Sequence, residues 1–317
     1  MRQGFLSRRP WLRDLLLASL LTLLAALPAF AVEVRFERVA EGVFAHVGEL
    51  GGRTLQNEGL NANVGLVVTA EGTVLIDPGA TWSSARDIHQ AIRRVTPQPV
   101  RWVVNTGGQD HRWLGNGYFK ARGAEIIAHE AGRADMANRG GDQLAALRGA
   151  LGTKADGTEP VMATRWLSGR DTVLTLGGVR FEFKHRGGGH TPGDLLVWLP
   201  QSRVLFSGDL VYVDRLLSVL PVSSTVAWLA GLDEVVALAP ERIVPGHGRV
   251  TDPATATAQT GRYLRALRAH MKRAVDDGVE AGVAGRSFDL TPWRELANSA
   301  ELHPGNANRT YLEVERE

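Results

Sequence analysis

Three segments in the second half of the chain combine metal-binding side chains with turn-forming residues. They read Gly189-His190-Thr191-Pro192-Gly193-Asp194, Leu205-Phe206-Ser207-Gly208-Asp209-Leu210 and Val244-Pro245-Gly246-His247-Gly248. His190, Asp209 and His247 lie beside apolar, strand-like runs, and the neighbouring glycines permit tight turns and close approach of a ligand to the backbone. Imidazole and carboxylate together suit Zn²⁺, Mn²⁺ or Fe²⁺. The pattern therefore predicts a metal site at one rim of a β-structure.

The strands and helices that must position these residues recur in two similar halves. In each half, β-rich runs separated by turn signals are followed by a helix-like run. The spacing predicts a helix over 84–95, after the cap residues Ser83 and Ser84, and another over 130–151 that is interrupted at Gly140-Gly141. The boundary between the halves falls near residues 160–170. This order predicts an α/β fold in which two sheets pack face to face with helices outside.

Five motifs resemble, in order and spacing, those of the metallo-β-lactamase superfamily. They are Ile76-Asp77-Pro78-Gly79, Asn105-Thr106, the segment around His190, Gly208-Asp209 and Pro245-Gly246-His247-Gly248. The resemblance runs from about Val32 to Gly248 and implies a four-layer αββα sandwich of two mixed β-sheets flanked by helices. The stretch from Asn306 to Glu313 looks like the exported branch that includes the sulfur-oxidation and quinoprotein-relay metallohydrolases.

The resemblance also implies roles for individual residues. The residue at His190 binds the first metal ion in the family, the residue at His247 binds the second, and the residue at Asp209 bridges both. Asp77 matches an aspartate that orients a ligand through a hydrogen bond, although a turn-stabilising Asp-Pro-Gly is an equally good interpretation. Thr191 is expected to support the site in a similar way. Two loops, 53–61 and 212–224, are expected to face the substrate.

The upstream motif departs from the family pattern Asn-Thr-His-x-His-x-Asp-His-x-x-Gly-Asn. The twelve residues from Asn105 to Asn116 match both ends of it without a gap. In this register Gly107 and Gln109 replace the first two histidines, His111 replaces the aspartate and Arg112 replaces the third histidine. Gly107 has no side chain, Gln109 offers only a weak amide oxygen, and the Arg112 guanidinium has no lone pair with which to bind a metal.

A second register remains open for this motif. A slip of one residue aligns Asp110-His111 with the Asp-His pair of the family. Asp110, His111, Asp209 and His247 would then form the second metal site, with Asp110 as a further catalytic carboxylate, while His190 and Gln109 would remain at the first. We favour the ungapped register because both of its ends are anchored.

The direction of Arg112 separates two hypotheses about function. If Arg112 points away, His111, His190, Asp209 and His247 can hold one Zn²⁺ ion, with Mn²⁺ or Fe²⁺ as alternatives. The protein would then be a hydrolase of small esters, thioesters, lactones or amides, in which metal-bound hydroxide attacks and Asp209 orients it. If Arg112 points inward, its guanidinium takes the place of a cation against Asp209. The protein would then be a metal-free binding or accessory protein.

The first 31 residues are predicted to be a cleavable signal peptide. Four arginines precede an apolar run that ends at Ala29-Phe30-Ala31, and this run is shorter than the roughly 20 residues that span a bilayer. A membrane anchor is the alternative. Ser7-Arg8-Arg9-Pro10-Trp11-Leu12-Arg13 resembles a twin-arginine export signal, although a chance Arg-Arg pair explains it nearly as well. The expected location is therefore periplasmic or secreted, with residues 32–250 as the metallo-β-lactamase-like domain and 251–317 as a helical extension packed on it.

Net charge and cysteine content limit the partners and the metal ligands that are expected for this chain. Removal of residues 1–31, which carry four arginines and one aspartate, changes the formal charge from +2 to −1. The high isoelectric point therefore belongs to the leader, and neither a nucleic-acid partner nor stable membrane insertion of the mature chain is expected. The chain contains no cysteine, so a metal site must use His, Asp, Glu or amide oxygens.

Overall fold

Two mixed β-sheets contain the twelve strands found in the part of the chain that the computed structural model describes, which is residue 1 and residues 33–317. The first sheet has the strand order β1 to β7; β1 to β4 are antiparallel neighbours and β4 to β7 are parallel. Its strands are β1 (Glu37–Ala40), β2 (Val43–His46), β3 (Val64–Thr69), β4 (Gly72–Ile76), β5 (Val100–Val104), β6 (Glu125–His129) and β7 (Arg165–Leu167).

The second sheet has the strand order β12-β11-β10-β9-β8, in which only β11 and β12 are parallel. Its strands are β8 (Asp171–Leu176), β9 (Val179–Lys184), β10 (Leu196–Leu199), β11 (Val204–Tyr212) and β12 (Arg242–His247). The chain therefore passes from the first sheet to the second between Leu167 and Asp171.

Nine α-helical segments occur in the described residues, together with short 3₁₀ turns at Glu130–Gly132, Gly152–Ala155 and Thr291–Trp293. They are α1 (Trp82–Val95), α2 (Asp110–Trp113), α3 (Asn116–Lys120), α4 (Arg133–Leu151), α5 (Thr225–Ala237), α6 (Pro253–Ala256), α7 (Arg262–Asp276), α8 (Ala281–Ser287) and α9 (Ser299–Val314). A π-helical turn, Thr257–Gly261, joins α6 to α7. The sequence misplaced two features: α1 begins earlier because Thr81 caps it, and α4 continues through Gly140-Gly141.

A capping box at its start and the spacing of its apolar residues explain why α1 forms where it does. The Thr81 side chain accepts a hydrogen bond from the Ser84 backbone, and the Ser84 side chain accepts one from the Thr81 backbone, which completes a capping box. The buried positions Ala85, Ile88 and Ile92 recur at helical spacing and face the protein interior.

Three apolar clusters hold the layers together. The central cluster joins both sheets, with Ile76, Val104 and Ile127 from the first and Phe183 and Phe206 from the second. A second cluster joins Leu196, Leu205 and Ile243 of the second sheet to the helices in the last third of the chain. The third packs α2 and α4 beside the first sheet. The result is the predicted four-layer arrangement of helices, two mixed sheets and helices.

The helices after residue 251 bind the loop that follows β11. Asn306 accepts a hydrogen bond from the Val219 backbone (2.7 Å) and donates one to the Leu217 carbonyl (2.8 Å). Glu313 accepts one from the Thr225 backbone at the start of α5 (2.8 Å). Among the described residues, no helix is long and apolar enough to cross a membrane. The predicted signal peptide lies outside the described residues, apart from Met1.

Candidate metal centre

Four side chains that the sequence singled out meet where the two sheets end. Asp209 lies within β11 and His247 is the last residue of the parallel neighbour β12, so both emerge at the same edge. His190 lies in the loop between β9 and β10, and His111 is the second residue of α2, which follows β5. All four residues are buried.

The three imidazoles converge on the Asp209 carboxylate. The Nε2 atom of His111 lies 3.1 Å from Oδ2, that of His247 lies 3.3 Å from Oδ1, and that of His190 lies 3.9 Å from Oδ2. His111, Asp209 and His247 each offer a ligand atom within 4.8 Å of the other two. A single ion can therefore reach all three, with His190 beside them.

Hydrogen bonds from the Nδ1 atoms set the tautomers of His190 and His247. Nδ1 of His190 donates to the Ser218 carbonyl (2.8 Å), and Nδ1 of His247 donates to the Asn61 carbonyl (2.6 Å). Each Nε2 atom therefore keeps a lone pair that faces Asp209. Burial lowers the pKa of His190 to about 4 and that of His247 well below its usual value, despite the nearby carboxylate. Neutral imidazoles beside an ionised carboxylate fit a divalent metal ion.

Arg112 is buried and pairs with Asp209 through two hydrogen bonds. Its Nη2 donates to Oδ1 of Asp209 (2.7 Å) and its Nε to Oδ2 (3.1 Å). Its Nη1 donates to Asp77 (2.9 Å) and to the Asn63 carbonyl (3.2 Å), and Nη2 also donates to the Gly246 carbonyl (2.9 Å). All five N–H donors of the guanidinium are used.

This pairing keeps Asp209 ionised. Burial alone would raise its pKa, but Arg112 and His111 hold the pKa of Asp209 well below the usual range. A carboxylate has about four lone-pair sites, so oxygens that accept from Arg112 can still bind a metal on their other side. A cavity of about 260 Å³ is lined by His111, His190 and His247 but not by Arg112. An inward-pointing Arg112 and a bound metal ion are therefore compatible, because Arg112 pairs with Asp209 but does not line the cavity.

Asp110 lies next to the centre, where it contacts His111. Its Oδ1 accepts from Nδ1 of His111 (3.0 Å) and also pairs with Arg53. Burial would raise the pKa of Asp110, but Arg53 and His111 lower it below the usual range. The carboxylate thus orients His111 in the way that a ligand histidine is commonly held. The His111 ring faces Asp209, as both registers allow, whereas Asp110 contacts His111 and Arg53.

Of the remaining predicted site residues, Asp77 and Thr191 hold the backbone of the loop that follows β5, and Gln109 lies on the cavity wall. Asp77 accepts from the Thr106 backbone (2.8 Å) and from Arg112, whereas Thr191 accepts from the Gly108 backbone (2.9 Å). Thr191 also donates to Asp194, whose pKa burial raises to about 7. Gln109 lines the cavity, and its buried Oε1 has no hydrogen-bond partner within the described part of the chain.

Both loops expected to face the substrate contribute to the cavity wall. Arg53 and Asn61 come from the first loop, and Tyr212, Arg215, Ser218 and Leu220 come from the second. Leu216 and Leu217 of the second loop do not line the cavity and are buried in the apolar cluster between the second sheet and the later helices. No motif in the sequence pointed to the part of the wall formed by Asn298, Glu301 and Leu302.

Gly107 occupies a position where a side chain has no room. A Cβ atom there would lie 2.6 Å from Oδ1 of Asp194 and 3.2 Å from Oγ1 of Thr191. The space in which the family pattern would place a histidine side chain therefore borders the Thr191–Asp194 pair. This crowding accounts for glycine at the first ligand position of the motif.

We expect Gly107→His to destabilise the fold and to add no second metal ion. Overpacking of a well-packed site costs about 1–3 kcal/mol, measurable by equilibrium urea unfolding. Gly141→Ala is the control, because a Cβ at Gly141 in α4 would meet no described atom within 4 Å and alanine favours a helix by roughly 0.5–1 kcal/mol. A Gly107→His protein of unchanged stability that bound two metal ions would contradict this account.

Comparison with known proteins agrees with the geometry. The family model of the metallo-beta-lactamase superfamily matches residues 57–247. This chain belongs to the metallo-β-lactamase superfamily. The chain is 24% identical over 225 residues to the metallo-beta-lactamase type 2 of Bacillus sp. (strain 170), covering 69% of this chain and 78% of that protein. It is also similar in structure to the metallo-beta-lactamase from Pontibacter korlensis, with a TM-score of 0.60, 21% identity, and coverage of 73% of this chain and 99% of that one.

A further relative is similar to this chain over only part of its length. The 2,4-dinitroanisole O-demethylase subunit alpha of Nocardioides sp. (strain JS1661) is 26% identical over 178 residues, which cover 56% of this chain. The chain spans only 49% of the length of that subunit. The superfamily and its αββα fold are therefore established for this chain.

Proposed function

We propose that this superfamily member is an exported, metal-dependent hydrolase of small esters, thioesters, lactones or amides that uses one metal ion, most simply Zn²⁺. The observation that carries the proposal is the convergence of three imidazole Nε2 lone pairs on the ionised Asp209. When bound, one Zn²⁺ ion would polarise a carbonyl and lower the pKa of a water molecule toward about 7. His111, Asp209 and His247 would hold it, with His190 beside them.

The chain's own groups define the remaining steps. Hydrolysis adds the oxygen of water to the carbonyl carbon, breaks the C–O, C–S or C–N bond and delivers a proton to the leaving atom. Asp209 is poorly suited to store that proton, because its pKa lies well below the usual range. Its proposed role is to hold the metal ion and to orient the attacking water molecule. The cavity volume of about 260 Å³ limits the substrate to a small molecule.

The alternative is a metal-free binding or accessory protein in which Arg112 replaces the cation. Arg112 does pair with Asp209 through two hydrogen bonds. What weighs against this alternative is that the three histidines line the cavity, whereas Arg112 is not among its lining residues. An arginine in the cation's place would be expected on the cavity side.

Metal content and hydrolysis of the purified full chain test the proposal. We expect close to one equivalent of a transition metal by elemental analysis, and hydrolysis of at least one member of a panel of small esters, thioesters, lactones and amides. His247→Ala should lose both. His89→Ala, which removes a half-buried histidine bonded to Tyr118 away from the cavity, should lose neither. Less than about a tenth of an equivalent, unchanged in His190→Ala and His247→Ala, would favour the metal-free alternative.

A further inference from the structure

Asn306 of α9 holds the loop that follows β11 on both sides of Ser218. The residue is completely buried. Its side chain accepts a hydrogen bond from the Val219 backbone (2.7 Å) and donates one to the Leu217 carbonyl (2.8 Å). The same amide donates to the Tyr263 hydroxyl on α7 (3.1 Å), which ties it to the helical region. The donors and the acceptor of the amide are therefore all used, and they fix the backbone around Ser218 against α9.

Two further residues on the same face of α9 extend this contact. Arg309 and Glu313 follow Asn306 by three and seven positions, which is the spacing of one helix face. Arg309 donates to the Val219 carbonyl (2.5 Å). Glu313 accepts from the Thr225 backbone (2.8 Å) and hydroxyl (2.6 Å) at the start of α5, where a negative charge is favourable. Asn306, Arg309 and Glu313 are called the α9 clamp below.

The loop that the α9 clamp holds is also the loop that holds His190. The Ser218 carbonyl accepts the Nδ1 proton of the His190 ring (2.8 Å). The Ser223 hydroxyl donates to the His190 carbonyl (2.8 Å), and the Ser224 backbone donates to the Gly189 carbonyl (2.9 Å). These contacts fix both the ring and the backbone of His190. None of the three clamp residues lines the cavity, so their route to the metal centre runs through this loop.

His190 is the histidine whose ring must be placed most carefully to reach a metal ion. Its Nε2 atom lies 3.9 Å from the Asp209 carboxylate, whereas those of His111 and His247 lie 3.1 Å and 3.3 Å from it. A small rotation of the His190 ring therefore decides whether it joins the other two. The α9 clamp that holds its acceptor lies outside residues 57–247, the part of the chain that matches the family model.

We propose that the α9 clamp positions His190 as a ligand of the metal ion, so that the C-terminal helical region helps to set how tightly the ion is bound. The inference deepens the proposed function and rests on it for the presence of the ion. Asn306, Arg309 and Glu313 are positioning residues, because they act on the ligand histidine through its hydrogen-bond acceptor. This role accounts for the spacing of polar residues in the stretch from Asn306 to Glu313.

A double-mutant cycle on Zn²⁺ affinity of the full chain tests the proposal. We expect Asn306→Ala to weaken binding by about threefold to tenfold, since loss of a direct partner of a ligand histidine costs about tenfold to a hundredfold and Asn306 is one step further away. His190→Ala should weaken binding by about tenfold or more. In the His190→Ala chain, Asn306→Ala should have no further effect, because no ring is left to position. Chelator competition measures the affinity, at a temperature where circular dichroism shows each variant to be folded.

A milder variant and a metal-free measurement guard against a general loss of structure. Arg309→Met removes a half-buried member of the clamp, and Arg309→Lys should restore part of the affinity because lysine keeps a donor for the Val219 carbonyl. In EDTA-treated chain labelled with ¹⁵N-histidine, the Nδ1 proton of His190 should exchange faster with water in Asn306→Ala and Arg309→Met. Asn308→Ala, on the exposed side of the same helix, is the matched control and should match the parent chain in both measurements.

The outcomes separate the α9 clamp from the proposed hydrolase. Equal losses of Zn²⁺ affinity on Asn306→Ala in the parent and His190→Ala chains would show a general structural role and overturn the proposal. Unchanged affinity in His190→Ala would overturn it as well, but would leave a hydrolase with the other three ligands. Conversely, a chain that hydrolyses none of the test substrates but shows the expected coupling would sustain the clamp and remove the hydrolase.

Discussion

Replacement of Arg112 by methionine is expected to lower the free energy of unfolding by about 3–5 kcal/mol, because it leaves Asp77 and Asp209 buried without their shared cation. The two carbonyls of Asn63 and Gly246 lose their donor as well. Methionine fills much of the same volume, so the loss should report charge and hydrogen bonding more than a cavity. Urea unfolding of the EDTA-treated chain, followed by circular dichroism, measures it.

Two further variants show whether the effect is specific to Arg112. Arg101→Met removes a half-exposed arginine whose ion pair with Glu71 spans 3.4 Å, and such pairs contribute only about 0–1 kcal/mol. Arg112→Lys should fall between methionine and the parent chain, because an ammonium cannot reproduce the two-pronged contact with Asp209. If Arg112→Met unfolded within about 1 kcal/mol of the parent chain, the buried pair would not be a main support of the site.

The sequence predicted the parts of the site whose chemistry is local. His190, Asp209 and His247 each lie beside an apolar, strand-like run with adjacent glycines, and the alternation of strands and helices implied that these segments meet at one rim. The predicted αββα fold and the family were confirmed by the comparisons. Helix ends were less accurate, since the true start of α1 depends on a capping box with Thr81.

The orientation of Arg112 could not be predicted from sequence because it depends on distant backbone. Its carbonyl acceptors at Asn63 and Gly246 lie 49 and 134 residues away along the chain, and no local pattern encodes their direction. The two hypotheses treated an inward arginine and a metal ion as alternatives. In the structure Arg112 pairs with the Asp209 carboxylate but does not line the cavity, whereas three histidines do. The place of Arg215 on the cavity wall was unpredictable for a similar reason, because it depends on a backbone β-bridge between Arg215 and Ala297.

Asp110→Asn is expected to weaken binding of Zn²⁺ by about tenfold to a hundredfold while one equivalent still binds. The Asp110 carboxylate accepts the Nδ1 proton of His111, and loss of such a charged acceptor from a ligand histidine typically has this effect. Competition with a chromophoric chelator measures the affinity. His247→Ala and His111→Ala should abolish binding, and Asp171→Asn, at an exposed ion pair with Arg186, should leave it unchanged.

The same series decides the register of the upstream motif. In the ungapped register His111 binds the ion and Asp110 only orients it, so Asp110→Asn weakens binding and His111→Ala abolishes it. In the slipped register Asp110 is itself a ligand, so Asp110→Asn should cost as much as His247→Ala. A weakening of less than about threefold in Asp110→Asn would contradict both registers, because each makes the affinity depend on this carboxylate. The structure favours the first result, since Asp110 is paired with Arg53 while the His111 ring faces Asp209.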